Sequence, residues 1–216
     1  MKQSKSDTSG NLNIMKLYYA PGACSLSPHI ALLEAGLPFS IERVDLQRAP
    51  HTMESGDDYR KINPKDYVPA LSLDNGDRLT EAAVILQYIA DCAPGRDLAP
   101  AFGTFERYRL QEWLNFISAE LHKGFAPFWK PATSQEHKDA AWTRLSQRFD
   151  WLEQQLTDKD YLMGQFSVAD SYLFTILRWT DHFKLSLARW PALKRYVSRV
   201  AGRPSVQQAL KDEGLT

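Results

Sequence analysis

Residues 16–37, KLYYAPGACSLSPHIALLEAGL, decide how the first half of this chain folds. Leu17, Tyr18 and Tyr19 form the short apolar run of a buried strand. Pro21-Gly22 then breaks the chain just before a segment whose apolar residues fall at helical spacing. The reading is strand, tight loop, helix. Two helix starts fit: Ser27 as N-cap with Pro28 at the first position, or a start at Ser25 with Pro28 inside the first turn. Both leave Cys24 within about one turn of the helix N-terminus. There, unpaired N–H groups and the positive end of the helix dipole favour a thiolate, the nucleophilic form of sulfur. Most lone cysteines are small buried apolar residues; this position makes Cys24 a candidate functional thiol.

Working forward, residues 40–46 (SIERVDL) alternate apolar and polar and read as a second strand, which completes a βαβ unit. Residues 47–64 are polar, contain Pro50, Gly56 and Pro64, and read as an irregular surface segment with at most a short helix. Residues 68–73 (VPALSL) and 78–80 (RLT) flank Asp74-Asn75-Gly76-Asp77. Asn-Gly between such runs predicts a hairpin closed by a type I′ turn. Residues 81–92 (EAAVILQYIADC) form an amphipathic helix stopped by Pro94-Gly95. The order is βαβ, a connecting segment, then ββα.

Beyond it, residues 93–103 are rich in Ala, Pro and Gly, and 95–103 are read as a linker. Strand signals then vanish. Helical spacing predicts helices at 104–128, 135–156, 168–181, 191–201 and 205–211. Ser167 and Asp170 form a capping box at the start of one of them, with Asp in place of the usual Glu, and are assigned a structural role. Ser171 leaves no hydrophobic staple to Phe166. The expected organisation is a disordered N-terminal extension at 1–14, an α/β domain at 15–94, the linker at 95–103 and an all-α domain at 104–216. For the extension, Met15 as physiological start and a cloning remnant are both open.

With 216 residues, 44% of them hydrophobic, the chain can bury a sizeable core as one large or two small domains. Lys and Arg total 26, as do Asp and Glu, and no basic stripe is interleaved with aromatics, so a nucleic-acid partner is not expected. The two cysteines, Cys24 and Cys92, match no C-x-x-C pair and no zinc spacing, which argues for a reducing compartment without structural disulfides or metal. The opening residues resemble no signal peptide, and no stretch approaches the roughly 20 apolar residues of a membrane span, so a cytoplasmic location is expected.

The βαβ-ββα order is thioredoxin-like, and several segments within it resemble a family. Tyr19-Ala20-Pro21-Gly22-Ala23-Cys24-Ser25-Leu26-Ser27, Asn63-Pro64, Val68-Pro69-Ala70-Leu71, Leu79-Thr80-Glu81 and Ile85-Leu86-Gln87-Tyr88-Ile89-Ala90-Asp91 resemble a bacterial beta-class glutathione S-transferase. The resemblance runs from Met15 to Glu213-Gly214-Leu215.

The resemblance implies a cytoplasmic homodimeric enzyme that uses glutathione as co-substrate, with no other cofactor, and transfers it to a small hydrophobic electrophile, with side thiol-transferase or peroxidase activity through Cys24. It implies that Pro69 is a cis-proline and that the main chain of Val68 pairs with the cysteinyl part of glutathione, as a peptide adds to a strand edge. Glu81 would hold the α-amino group of the γ-glutamyl residue, and the N–H groups opening the next helix would bind its carboxylate. At the following position many relatives have a hydroxyl, where this chain has Ala82.

The resemblance further implies that His122 reaches across the domain interface to the glutathione sulfur. Asn115, Ser118 and His122 share one helix face by their spacing; relatives often carry a hydroxyl at the position of Ala119, one residue after Ser118. Lys123 would meet a glutathione carboxylate. Phe125, Trp129, Trp179 and Phe183 would wall the second substrate, although aromatics at helical spacing are usually core.

Three side chains compete to activate the thiol: Tyr19, Ser25 and Cys24, the last being the beta-class answer. In Cys24-Ser25-Leu26-Ser27 a serine stands where a C-x-x-C has its second cysteine, so any resolving thiol comes from outside. A glutaredoxin-like reductase of mixed disulfides, and a non-catalytic interaction protein on the same fold such as the stringent starvation proteins, are the alternatives.

Overall fold

The computed structural model describes residues 14–47 and 49–216. The predicted disorder at 1–14 therefore lies outside the described residues, except for Ile14.

A five-stranded sheet in the order β3-β2-β1-β4-β5 forms the first half. Central β1 (Met15–Tyr19) runs parallel to β2 (Phe39–Asp45) and antiparallel to β4 (Ala70–Ser72), with Leu17 opposite both Ile41 and Leu71. The hairpin partner β5 (Arg78–Thr80) closes one edge. Strand alternation sorts the core. Leu17 and Tyr19 pack with helices α1 (Leu26–Ala35) and α2 (Ala82–Cys92), while Tyr18 joins Val44, Tyr59, Val68 and Ala70 in a smaller cluster.

Two readings of this half need correction. The segment expected to be irregular contributes β3 (Thr52–Met53), which pairs antiparallel with β2, followed by a 3₁₀ turn at Tyr59–Lys61. Two residues are too few to show a period of two. The hairpin is present, but its turn is not type I′. Gly76 has φ +89°, whereas Asn75 is not among the positive-φ residues. The Gly76 N–H donates to the Leu73 carbonyl at 3.0 Å, and the Leu73 N–H to the Asp77 carbonyl at 2.9 Å. That is a type I turn followed by a left-handed bulge glycine. Asn75 instead accepts the Asp77 N–H at 2.9 Å through its side chain, an Asx contact that competes with the left-handed conformation.

The second half is helical. It comprises α3 (Phe105–Phe116), α4 (Ala126–Trp129), α5 (Gln135–Leu156), α6 (Val168–Leu177), α7 (Trp179–His182), α8 (Pro191–Ala201) and α9 (Pro204–Asp212). The helix predicted at 104–128 keeps its direction but changes winding. Between α3 and α4 lie a π-helical turn, Ile117–His122, and a 3₁₀ turn, Lys123–Phe125. The helix predicted at 168–181 divides at Arg178 into α6 and α7.

Every residue of α6 is buried, which is why it is apolar all round. Asp170, fully buried, caps it as expected: Oδ2 accepts the Ser167 N–H at 2.9 Å, and Oδ1 accepts the Leu162 N–H at 2.9 Å and the Tyr196 hydroxyl at 3.0 Å. One hydrophobic cluster spans both halves. Arg203 reinforces the junction, donating to Glu34 at 2.6 and 2.9 Å with its guanidinium 3.9 Å from the centre of the Phe166 ring. Among the described residues no helix is long and apolar enough to cross a membrane.

Candidate functional site

The loop between β1 and α1 is held through both backbone polar groups of one residue, Gly22. The Gly22 N–H donates to Glu213 Oε2 at 2.9 Å, and its carbonyl accepts the Trp179 indole N–H at 2.9 Å. Both partners come from the helical half. Of the two possible starts for α1 the structure takes the earlier one: Ser25 is the N-cap residue, in right-handed conformation. Its hydroxyl donates to the Ala20 carbonyl at 3.2 Å and accepts the Ala20 N–H at 3.1 Å. Ser25 is thus fully buried and bonded to the loop backbone. Tyr19 packs against His29, with ring centroids 6.2 Å apart, and burial pushes its phenol up. Ser25 is therefore not free to activate a thiol here, and Tyr19 lies in the core beside His29.

Cys24 sits at the helix end as expected, but not as the thiolate its position favours. Its Sγ donates to the Val68 carbonyl at 3.3 Å, and the side chain is buried. Burial pushes the thiol up to about 12, although the N–H groups of Cys24 and Ser25 and the charge of Lys123 pull the other way. Loss of hydration outweighs the helix end. The Val68–Pro69 bond is cis, and β4 begins immediately after it.

Glu81 precedes α2 as its N-cap, with φ 69° and ψ 113°. This left-handed backbone is costly for a residue with a Cβ, and such strain concentrates at functional positions. Its exposed carboxylate pairs with the Lys65 ammonium, which also donates to Thr80 Oγ1 at 2.8 Å. Ala82, nearly buried, carries the first N–H of α2.

On the opposite wall, Asn115 and Lys123 are exposed and Ser118 and His122 half-buried. His122 Nδ1 lies 2.8 Å from the Tyr172 hydroxyl. Burial lowers the imidazole to about 4, helped by the adjacent Lys123, so His122 is neutral at pH 7. Trp179 joins the two walls: besides bonding Gly22, its ring meets His122 edge-on at 5.0 Å. It also contacts Phe125 at 5.6 Å and Trp129 at 5.2 Å, and Phe183 lies 4.7 Å from Trp129. The aromatic cluster therefore exists, with one correction. Phe125 is fully buried and backs Trp179, so it does not face a ligand, whereas Trp129 is 44% exposed.

Tyr172, Lys65 and Glu213 escaped the sequence reading. All three act through contacts across long chain separations, which no local period encodes. Among the described residues no group of His, Cys, Asp or Glu is arranged to hold a metal ion.

Residues 22–92 match the glutathione S-transferase N-terminal domain, and residues 116–204 the glutathione S-transferase C-terminal domain. Glutathione S-transferase GstA of Escherichia coli O157:H7 is 46% identical, over 93% of this chain and 100% of the relative. The solved bacterial beta class glutathione S-transferase of Sphingomonas chungbukensis is 48% identical, with a TM-score of 0.89 over 93% of this chain and 100% of its own. A sphingomonad glutathione S-transferase complexed with glutathione is 46% identical, with a TM-score of 0.89 over the same shares. With both halves of the fold matched and each of these relatives covered over its whole length, this chain belongs to the glutathione S-transferase family, in its bacterial beta class.

Proposed function

We propose that this transferase conjugates the glutathione thiol to small hydrophobic electrophiles in the cleft between an α/β domain at 15–94 and a helical domain at 104–216. The observation that carries the reading is the meeting of the Cys24 loop with His122 through Trp179. The γ-glutamyl ammonium would lie on Glu81, its carboxylate on the N–H of Ala82, and the cysteinyl main chain along Val68 and Pro69. The sulfur would then stand between Cys24 and His122, with Asn115, Ser118 and Lys123 lining the far side.

The α1 N-terminus and the His122 N–H stabilise the thiolate, which attacks the electrophilic carbon. A carbon–sulfur bond forms, the leaving group departs with its electron pair, and the thiol proton passes to solvent. Trp129, which is exposed, would hold the apolar substrate, with the buried Trp179 and Phe125 behind it.

Burial pushes the Cys24 thiol up to about 12, so it rests as a thiol beside the Val68 carbonyl, and conjugation through glutathione's own sulfur is the leading activity of this reading. Reduction of glutathione mixed disulfides is the side reaction. Cys24 would attack the glutathione sulfur, release the substrate thiol, and be regenerated by a second glutathione as oxidised glutathione leaves. The fully buried Ser27, whose hydroxyl donates to the Cys24 carbonyl at 2.7 Å, favours this outside resolution.

The protein would work in the cytoplasm as a homodimer, using no cofactor beyond glutathione and no nucleic-acid partner. Retention on immobilised glutathione, with turnover of a chloronitrobenzene exceeding that of a hydroperoxide or a mixed disulfide, is the expected result. Failure both to bind glutathione and to turn over any of the three would leave the interaction protein. Light scattering at assay concentration tests the dimer, and a monomer would refute it.

A further inference from the structure

We infer that Tyr172 is a positioning residue that fixes the tautomer of His122, its hydroxyl donating to Nδ1 so that Nε2 carries the proton and presents it to the sulfur. The presentation step rests on the proposed place of His122 beside glutathione; the tautomer itself does not.

The geometry is specific. The hydroxyl and Nδ1 are 2.8 Å apart, the rings stand nearly perpendicular at 85°, and Tyr172 is 1% exposed on the fully buried α6. A buried phenol and a neutral imidazole share one hydrogen, so each must take one role. Burial pushes the phenol up and the imidazole down, which keeps both neutral. The groups around them are Cys24 from the α1 loop, Glu81 from the start of α2, Ser118 from the turn that carries His122, and Lys123 at the start of the next turn.

The burial of Tyr172 decides the direction. Its hydroxyl belongs to a residue only 1% exposed and has Nδ1 of His122 as its one hydrogen-bond partner among the described residues. A phenol that accepted from Nδ1 would leave its own buried O–H without an acceptor, so the phenol donates. Ser118 and His122 belong to the same π-turn, Ile117–His122, and a wider turn of this kind often marks a functional position. Nε2, across the ring, makes no hydrogen bond to a described residue. Fixing the partner nitrogen of an imidazole through the other nitrogen's bond is a general device for aiming its proton.

The test is ¹⁵N NMR of histidine-labelled protein at neutral pH without glutathione, His122 being assigned by its loss in His122→Gln. The expected spectrum is a neutral imidazole protonated on Nε2, turning into a tautomer mixture in Tyr172→Phe. That variant should also lose about five- to tenfold in kcat/KM for conjugation, with KM for glutathione unchanged. Should it fail to fold, fluorotyrosine introduced at position 172, a stronger donor of the same shape, should move the Nδ1 resonance. A wild-type imidazole protonated on Nδ1, a Tyr172→Phe spectrum like the wild type, or an unmoved Nδ1 resonance with fluorotyrosine would overturn the assignment. If His122→Ala conjugates at the wild-type rate, the presentation of the proton to sulfur falls, and the spectrum alone decides the tautomer.

Discussion

Two helix N-termini contribute to the proposed glutathione site, and they are built in opposite ways. The end of α1 is sealed: Cys24 and Ser25 are buried, the thiol is donated to a carbonyl, and the loop before it is tied to Trp179 and Glu213. The end of α2 is open: Glu81 is exposed, its backbone is left-handed, and its carboxylate holds a displaceable lysine. Both ends offer the same N–H groups and the same dipole. What differs is hydration, and hydration decides what each can do. A sealed end suppresses charge on its own residue until a substrate brings charge to it. An open end leaves a carboxylate exposed, within reach of the ammonium proposed to bind it.

The hardest test of that contrast is Cys24→Ala. If the sealed end serves mainly to hold glutathione's own thiolate, conjugation should persist substantially, because the helix N-terminus and His122 remain. Reduction of mixed disulfides should disappear, since Ser27 offers no second thiol. Mass spectrometry should find one glutathione on wild type after mild oxidation and none at this site in the variant. Modification confined to Cys92 would break the distinction, as would retained reductase activity.

Acid should strip stability from the sealed side. His122 titrates at 6.5 when unfolded and at about 4 when folded, so the unfolded chain binds more protons between these values. Its contribution is complete above 6.5 and is lost as pH falls to 4, on the order of 3 kcal/mol in all. Asp170 runs the other way: buried, it moves from 3.8 to about 6, so its contribution declines as pH rises through that window. Urea denaturation at pH 7.5 and 4.5 separates them. His122→Gln should lose less stability on acidification than wild type; equal losses would mean that the imidazole is not held neutral.

At the open end, Glu81→Gln should raise KM for glutathione far more than it lowers kcat, because the contact is made equally before and during reaction. The weakening should be about 1.5–3 kcal/mol, the range for a hydrogen bond to a charged group. Isothermal titration gives the number, and an unchanged affinity would remove the γ-glutamyl end from Glu81.

The same contrast explains what the sequence made legible. Cys24, Pro69 and Glu81 lie within a few residues of turn and helix signals, so their place in the fold followed from local pattern and resemblance. The charge state of Cys24 did not, because it depends on burial by residues distant in the chain, Val68 among them at 3.3 Å across 44 residues. Tyr172 was hidden for a related reason. It belongs to a helix that is apolar throughout, where a phenol reads as core, and its partner lies on a turn whose π-winding departs from the 3.6-residue rule. The hairpin shows the limit of turn signals: Asn75-Gly76 specified a reversal, and the side-chain bond of Asn75 selected a different one.

The smallest effect tests whether the open end is contested. In the free protein the Lys65 ammonium occupies the carboxylate of Glu81, the group proposed to receive the ammonium of glutathione. Binding would then exchange one cation for another. Lys65 is 46% exposed and Glu81 65%, so the pair is worth no more than about 1 kcal/mol. Lys65→Met removes the competitor and should tighten glutathione binding by at most about fivefold. Binding should also become more sensitive to added salt, because in wild type salt weakens the competing pair along with the productive one. If Lys65 instead swings to a carboxylate of the bound peptide, affinity should fall in the same variant. Titrations at low and high ionic strength distinguish the two by sign, so even an effect this small decides whether Lys65 guards the γ-glutamyl position or belongs to it.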